Sequence, residues 1–195
     1  MHQDQAVPAA QADAPAINPL NLAWSAGAIA VMVAAIVSAD RWFLEFVHVF
    51  TATLWTGIDL FMGFVVGPVM RRLAPDVRRA FITRLVPRTL FLMPTLAIVG
   101  GTSGWFLAEQ LGYFDLPMPQ LWWVIAAVAI LVVLTVQGLG ILLPTNLRVY
   151  LELRKPAPDG ARVARLMRFY IFVVASQGVM QVAMVVIMAR FSAGV

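Results

Sequence analysis

Glu45, His48, Trp55 and Asp59 fall on one face of a helix turning every ~3.6 residues. They lie in the apolar stretch WFLEFVHVFTATLWTGIDLFMGFVVGPVM, between Trp42 and Met70, which is long enough to cross a bilayer. Ionisable groups inside a membrane are costly and rare, so each is a functional candidate. An imidazole at position 48 reads as a haem or metal ligand, as a proton-transfer group, or as a ring satisfied by Thr102 or a backbone carbonyl. Asp59 reads as a carboxyl hydrogen-bonded to Gln137 or Gln177, or as a station for proton or cation passage. Glu45, near the interface, faces water, and Trp55 reads as packing.

The chain contains no cysteine, which excludes disulfides, thiolate metal sites, cysteine-ligated iron-sulfur clusters and cysteine-attached haem. His2 stands near the amino terminus and His48 is the only histidine in a span, so a bis-histidine haem within one subunit is also excluded. A haem on His48 would take its second ligand from Met93, Met180 or Met184, from His48 of a second copy, or from a partner's histidine. The methionines themselves read as core fillers, since they show no closely spaced copper-type cluster. Arg41 is placed to pair with a haem propionate, or with Asp40 or Glu45.

These residues must be positioned by membrane helices. Of the 195 residues 61% are hydrophobic and 12% charged, with mean hydropathy +0.83, far more apolar than a soluble domain. The apolar runs approach ~20 residues, which predicts an all-α polytopic membrane bundle rather than a barrel of short alternating strands. Spans are expected at 20–39, 42–70, 89–108, 121–143 and 169–189, in one membrane domain over 20–195. Residues 1–19, rich in Ala, Pro, Gln and Asp, read as a flexible tail. Val37-Ser38-Ala39 resembles a signal-peptidase site, but no Lys or Arg precedes it, so a retained first helix is expected. Between spans two and three, Pro75 breaks the chain, and the Arg-rich remainder reads as an amphipathic helix at the lipid surface.

Six of the 14 Lys and Arg residues follow span two and six follow span four. The positive-inside rule makes both loops cytoplasmic, with the amino terminus inside, the carboxyl terminus outside and His48 near the outer face. Membrane topology thus explains the net charge of +4, and nucleic acid is not an expected partner. Anionic lipid or a protein partner is the plain reading of these loops. Counting residues from span ends places Thr102 level with His48 and Gln137 level with Asp59, with Gln177 and Gln181 between. Together with Glu45 they would form a polar seam. Gly63 and Gly67, like Gly100 and Gly104, have the small-xxx-small spacing that lets helices approach.

The pattern His48-x6-Trp55-x-Gly57-x10-Pro68 resembles the first core helix of small membrane proteins of the CopD and HemJ type. It is also similar to the membrane domain attached to some urate-oxidising enzymes. The likeness covers roughly residues 42–190 and implies a four-helix core, to which the first span is an addition. It further implies b-type haem, porphyrinogen oxidation or copper handling, with His48 as the ligating residue. The expected function is a redox-associated subunit of a bacterial-type inner membrane, holding haem b through His48 and relaying electrons between a partner and the membrane. One alternative is a non-catalytic anchor or assembly subunit, as a homo-oligomer or with a membrane or peripheral partner. Another is a copper or cation permease using Asp59 and the glutamines.

Overall fold

The computed structural model describes residues 20–194, so the stretch read as a tail, with His2, lies outside the described residues, as does Val195. Five helices are long and apolar enough to cross a membrane: α1 (Leu20–Val37), α2 (Arg41–Arg72), α3 (Pro75–Gln110), α4 (Leu121–Leu153) and α5 (Gly160–Ser192). No strand occurs among the described residues. The chain is an all-α, multi-pass membrane bundle.

Helices α2, α3, α4 and α5 each pack on the next, and α5 returns to α2, which closes a four-helix ring. The first helix lies outside this ring against α2 and α3. It is fastened by Met32 and Ala35, packed with Leu44 and Val47 of α2 and Val99 and Leu107 of α3. A hydrogen bond of 3.0 Å from Thr95 Oγ1 to Ser25 Oγ adds a polar contact at the same interface. Deeper in the ring, Trp55, Leu96, Ala97 and Leu134 form a second buried cluster. Many other apolar side chains, such as Phe64, Phe172 and Val179, are exposed. That distribution suits a solvent of lipid tails.

Three of the helices run past the expected span ends. The Arg-rich segment after Pro75 is not a separate surface helix; it is the first part of α3, which continues to Gln110. Proline is tolerated at the first position of a helix because its missing N–H would have had no partner there. At ~1.5 Å per residue, α3 is about 54 Å long against a hydrocarbon core of ~30 Å, so its basic end extends beyond the apolar slab.

Pro144, expected to end span four, does not: the helix widens to a π-turn over Val136–Leu142 and runs on to Leu153. The same device precedes Pro68 in α2, where Met62–Val66 forms the wide turn. In both places the extra residue per turn accommodates a ring that has no N–H and crowds the carbonyl four residues back. The fifth helix likewise begins at Gly160, well before the expected 169.

Asp40 Oδ1 caps α2 by accepting from the Phe43 N–H at 3.1 Å, and Asp159 Oδ1 caps α5 by accepting from the Arg162 N–H at 3.0 Å. The two basic loops meet at one end of the bundle. Arg79 Nη2 donates to the Leu153 carbonyl at 2.7 Å, and Arg78 Nη2 donates to the Leu73 carbonyl at 3.0 Å. Both guanidinium groups thus satisfy carbonyls at helix ends, a structural duty additional to any lipid or partner contact. Buried Glu152 ties the same region together, pairing with Lys155 Nζ at 2.7 Å and Arg162 at 3.7 Å. At the opposite end, Gly112 takes the left-handed conformation (φ 68°) that turns the chain out of α3. Tyr113 then stacks on Phe191, and Phe114 leans on Trp105.

Candidate functional site

Leu44, Val47, Thr51 and Trp55 recur at helical spacing on α2 and are buried, which turns the His48 and Asp59 face inward toward α3 and α5. Glu45 is exposed at the amino-terminal end of the stripe, near enough to His48 to interact with it electrostatically. Arg41, also exposed, starts α2 two turns before His48 on the same face. Among the described residues both ion pairs belong to Glu152, and Asp40 serves as a helix cap rather than as a partner for Arg41.

His48 is half-buried between α2 and α3, and its Nδ1 lies 3.0 Å from the Gly100 carbonyl oxygen. A carbonyl only accepts, so Nδ1 carries the proton and donates. Nε2 then holds the lone pair, and no hydrogen bond to it occurs among the described residues. The ring occupies space that Gly104 leaves open. A Cβ there would stand 2.6 Å from Cε1 and 2.8 Å from Nδ1.

The partner is therefore the Gly100 carbonyl and not the Thr102 hydroxyl. Thr102 has the expected depth, but two residues along a helix is a ~200° rotation, which sends it to the far flank. There it lines a wide apolar groove between α3 and α4 with Gly101, Trp105, Leu131, Thr135 and Leu139. At Gly100 a Cβ would meet Thr51 Cγ2 at 3.6 Å, an ordinary contact. Gly104 is thus the glycine that packing requires, while Gly63 has nothing within 4 Å of its Cβ position.

The lower half of the stripe carries a second polar group. Asp59 Oδ2 accepts from Gln181 Nε2 at 2.7 Å, with the Trp55 indole as a further polar neighbour one turn earlier. Gln137 and Gln177, the expected partners, bind elsewhere. Gln137 Nε2 donates to Ser176 Oγ at 3.2 Å, and Gln177 Nε2 donates to the Leu134 carbonyl at 3.1 Å, just before the π-turn of α4. The seam is therefore two clusters on one stripe. Glu45 and Thr102 stand apart from the Asp59 cluster.

Asp59 opens on a cavity of about 50 Å³ whose wall includes Thr89 of α3, Asn146 of α4, and Tyr170 and Gln177 of α5. Asn146 Nδ2 donates to the Tyr170 hydroxyl at 3.3 Å, and Tyr170 is within electrostatic reach of Asp59. Asn146 fell outside the expected fourth span, which ended at Leu143, whereas Tyr170 lay inside the expected fifth span as its second residue. The signal available was a polar group directly beside each of those boundaries.

For a metal or haem, the residues fit one half of a site. His48 has the ligand geometry: one ring nitrogen tied to a backbone carbonyl, the other free. The three candidate methionines stand lower in the bundle. Met93 lines the Asp59 cavity and Met180 packs on the Trp55 cluster. Met184 is three residues above Gln181, a rise of about 4.5 Å, whereas His48 is eleven residues above Asp59, a rise of about 16 Å. No three histidine or carboxylate groups converge as a metal cluster among the described residues. Comparison with family models, with curated proteins and with solved structures gives no match.

Proposed function

We propose that this chain is a redox-associated membrane subunit in which His48, through Nε2, would hold a b-type haem. The single observation that carries the reading is the His48 Nδ1 to Gly100 carbonyl bond at 3.0 Å over the space left by Gly104. Anchoring Nδ1 fixes the tautomer and the ring plane and raises the basicity of Nε2, which is how ligating histidines are commonly held. Copper could use the same nitrogen, but haem draws further support from Arg41, whose position above His48 suits a propionate. Bound haem would supply one-electron transfer. The chain's own residues orient the ligand and place a cation at its outer edge.

A further ligand would come from another polypeptide, either His48 of a second copy or a partner's histidine, because the methionines lie below the level of His48. The resemblance of the His48, Trp55, Gly57 and Pro68 pattern to CopD and HemJ type proteins supports the same reading. The location proposed is a bacterial-type inner membrane, with the basic end, the end joined by Arg79 and Leu153, in the cytoplasm. The amino terminus is then inside and the carboxyl terminus outside.

The test is a reduced-minus-oxidised absorption spectrum of protein purified from cells supplied with haem precursor. A b-type difference signal that His48→Ala abolishes is the expected result. A featureless spectrum from the unmodified chain, purified both alone and with its co-purifying partners, would remove the haem assignment.

A further inference from the structure

The chamber below Trp55 holds a carboxyl group with no cationic side chain against it. Of the groups lining it, Asp59 is the acid, and Tyr170 of α5 is the other titratable group facing it; the lining residues of α3 and α4 are uncharged. A carboxylate at this depth needs its charge neutralised by a proton or a bound cation, or stabilised by hydrogen bonds. Gln181 supplies one such bond and leaves its own Oε1, on a side chain 2% exposed, without a partner among the described residues. A buried acceptor in that state calls for a donor.

The Tyr170 hydroxyl accepts from Asn146, so its own proton is free to be given toward the cavity. Pro94 withholds the N–H that would otherwise close on the Leu90 carbonyl, and both residues line the same space. A cavity of about 50 Å³ with several polar partners is large enough for a few water molecules. The lower wall has a direction. Thr89, Asn146 and Tyr170 stand one or two residues from Arg88, Arg148 and Arg168, which are exposed at the basic end, so this wall is the part of the chamber nearest that end. With Asp59 as its one carboxyl and no group of three metal-ligating side chains among the described residues, the chamber suits a proton passed along water better than a metal ion.

We propose that Asp59 is a proton-binding site served by a small water cluster that reaches it from the basic end of the bundle, past Asn146 and Tyr170. It is independent of any ligand on His48, which lies on the outer half of the same helix.

The test uses the full chain, purified in detergent, and dicyclohexylcarbodiimide, a reagent that modifies protonated carboxyl groups in apolar surroundings; peptide mass spectrometry locates the label. Asp59 is expected to be labelled at low pH and progressively spared as pH rises. The extent of labelling of Asp59 at a given pH should change in Tyr170→Phe and in Asn146→Leu, by up to about tenfold, the equivalent of about one lost hydrogen bond. Tyr170→Phe keeps the ring and its packing, and the two variants check each other. Absence of label on Asp59 at every pH, labelling indifferent to pH, or labelling unchanged in both variants would overturn the proposal. So would protection by sodium chloride beyond that given by equal choline chloride, which would make the chamber a cation site.

Discussion

The His48 ring lies against Gly104 so closely that a methyl group there would come within 2.6 Å of Cε1. A backbone on α3 and a side chain on α2 thus share one space. The glycine is what allows Nδ1 to reach the Gly100 carbonyl.

Gly104→Ala should therefore act on the ring before it acts on the helix. Alanine favours helix over glycine by ~1 kcal/mol, but overpacking a fitted contact costs roughly 1–3 kcal/mol. The net expectation is a lower melting temperature in detergent and a weakened haem difference signal. Gly63→Ala, with open space at its Cβ, should leave the haem signal unchanged and hold or raise the melting temperature. Thermal scans and spectra of the two variants check this pairing.

Asp59 and Gln181 should behave as a coupled pair. Gln181→Leu removes the amide donor from the carboxyl group, and a buried acceptor left unsatisfied costs on the order of 1–3 kcal/mol. Asp59→Leu combined with Gln181→Leu should cost less than the sum of the single changes, because the double variant buries no unpaired polar partner. A cycle of denaturation midpoints in mild detergent measures the coupling. Additive costs would show that the 2.7 Å bond carries no coupling energy.

The cap of α5 gives a pH dependence outside the membrane. The backbone N–H of Arg162, donating to Asp159, holds this carboxyl below its usual range. A depressed carboxylate contributes stability above its unfolded pKa and loses it as pH falls through the folded value. Asp159→Ala should thus melt earlier than the unmodified chain at neutral pH, with the difference shrinking in acid below the ordinary aspartate range. Asp159→Asn, which also caps, should retain most of the stability at both pH values.

The five helices and the inward face of α2 were legible because membrane spans are written in long apolar runs and a 3.6-residue stripe. The basic ends were equally plain. Helix lengths were not, since Pro75 and Pro144 read as breaks; the first opens α3, and the second is absorbed by a wider turn in α4. Ending span four at Leu143 placed Asn146 outside the bundle and hid the wall of the Asp59 chamber. Depth counting set Thr102 level with His48 but could not supply rotation about α3, which is what separates Thr102 from the imidazole. Pairing Asp59 with Gln181 instead of Gln137 depends on the tertiary placement of α5, for which a single sequence holds no signal.

Haem binding by this chain rests on one nitrogen, His48 Nε2. In His2→Gln protein labelled with nitrogen-15 histidine, His48 is the single reporter, and magnetic resonance with and without haem reads its two ring nitrogens separately. In the haem-free protein Nδ1 is expected to be protonated and bonded to a carbonyl, with Nε2 unprotonated, and haem is expected to perturb Nε2 while Nδ1 keeps its proton. Identical spectra with and without haem, recorded in the presence of co-purifying partners, would contradict it.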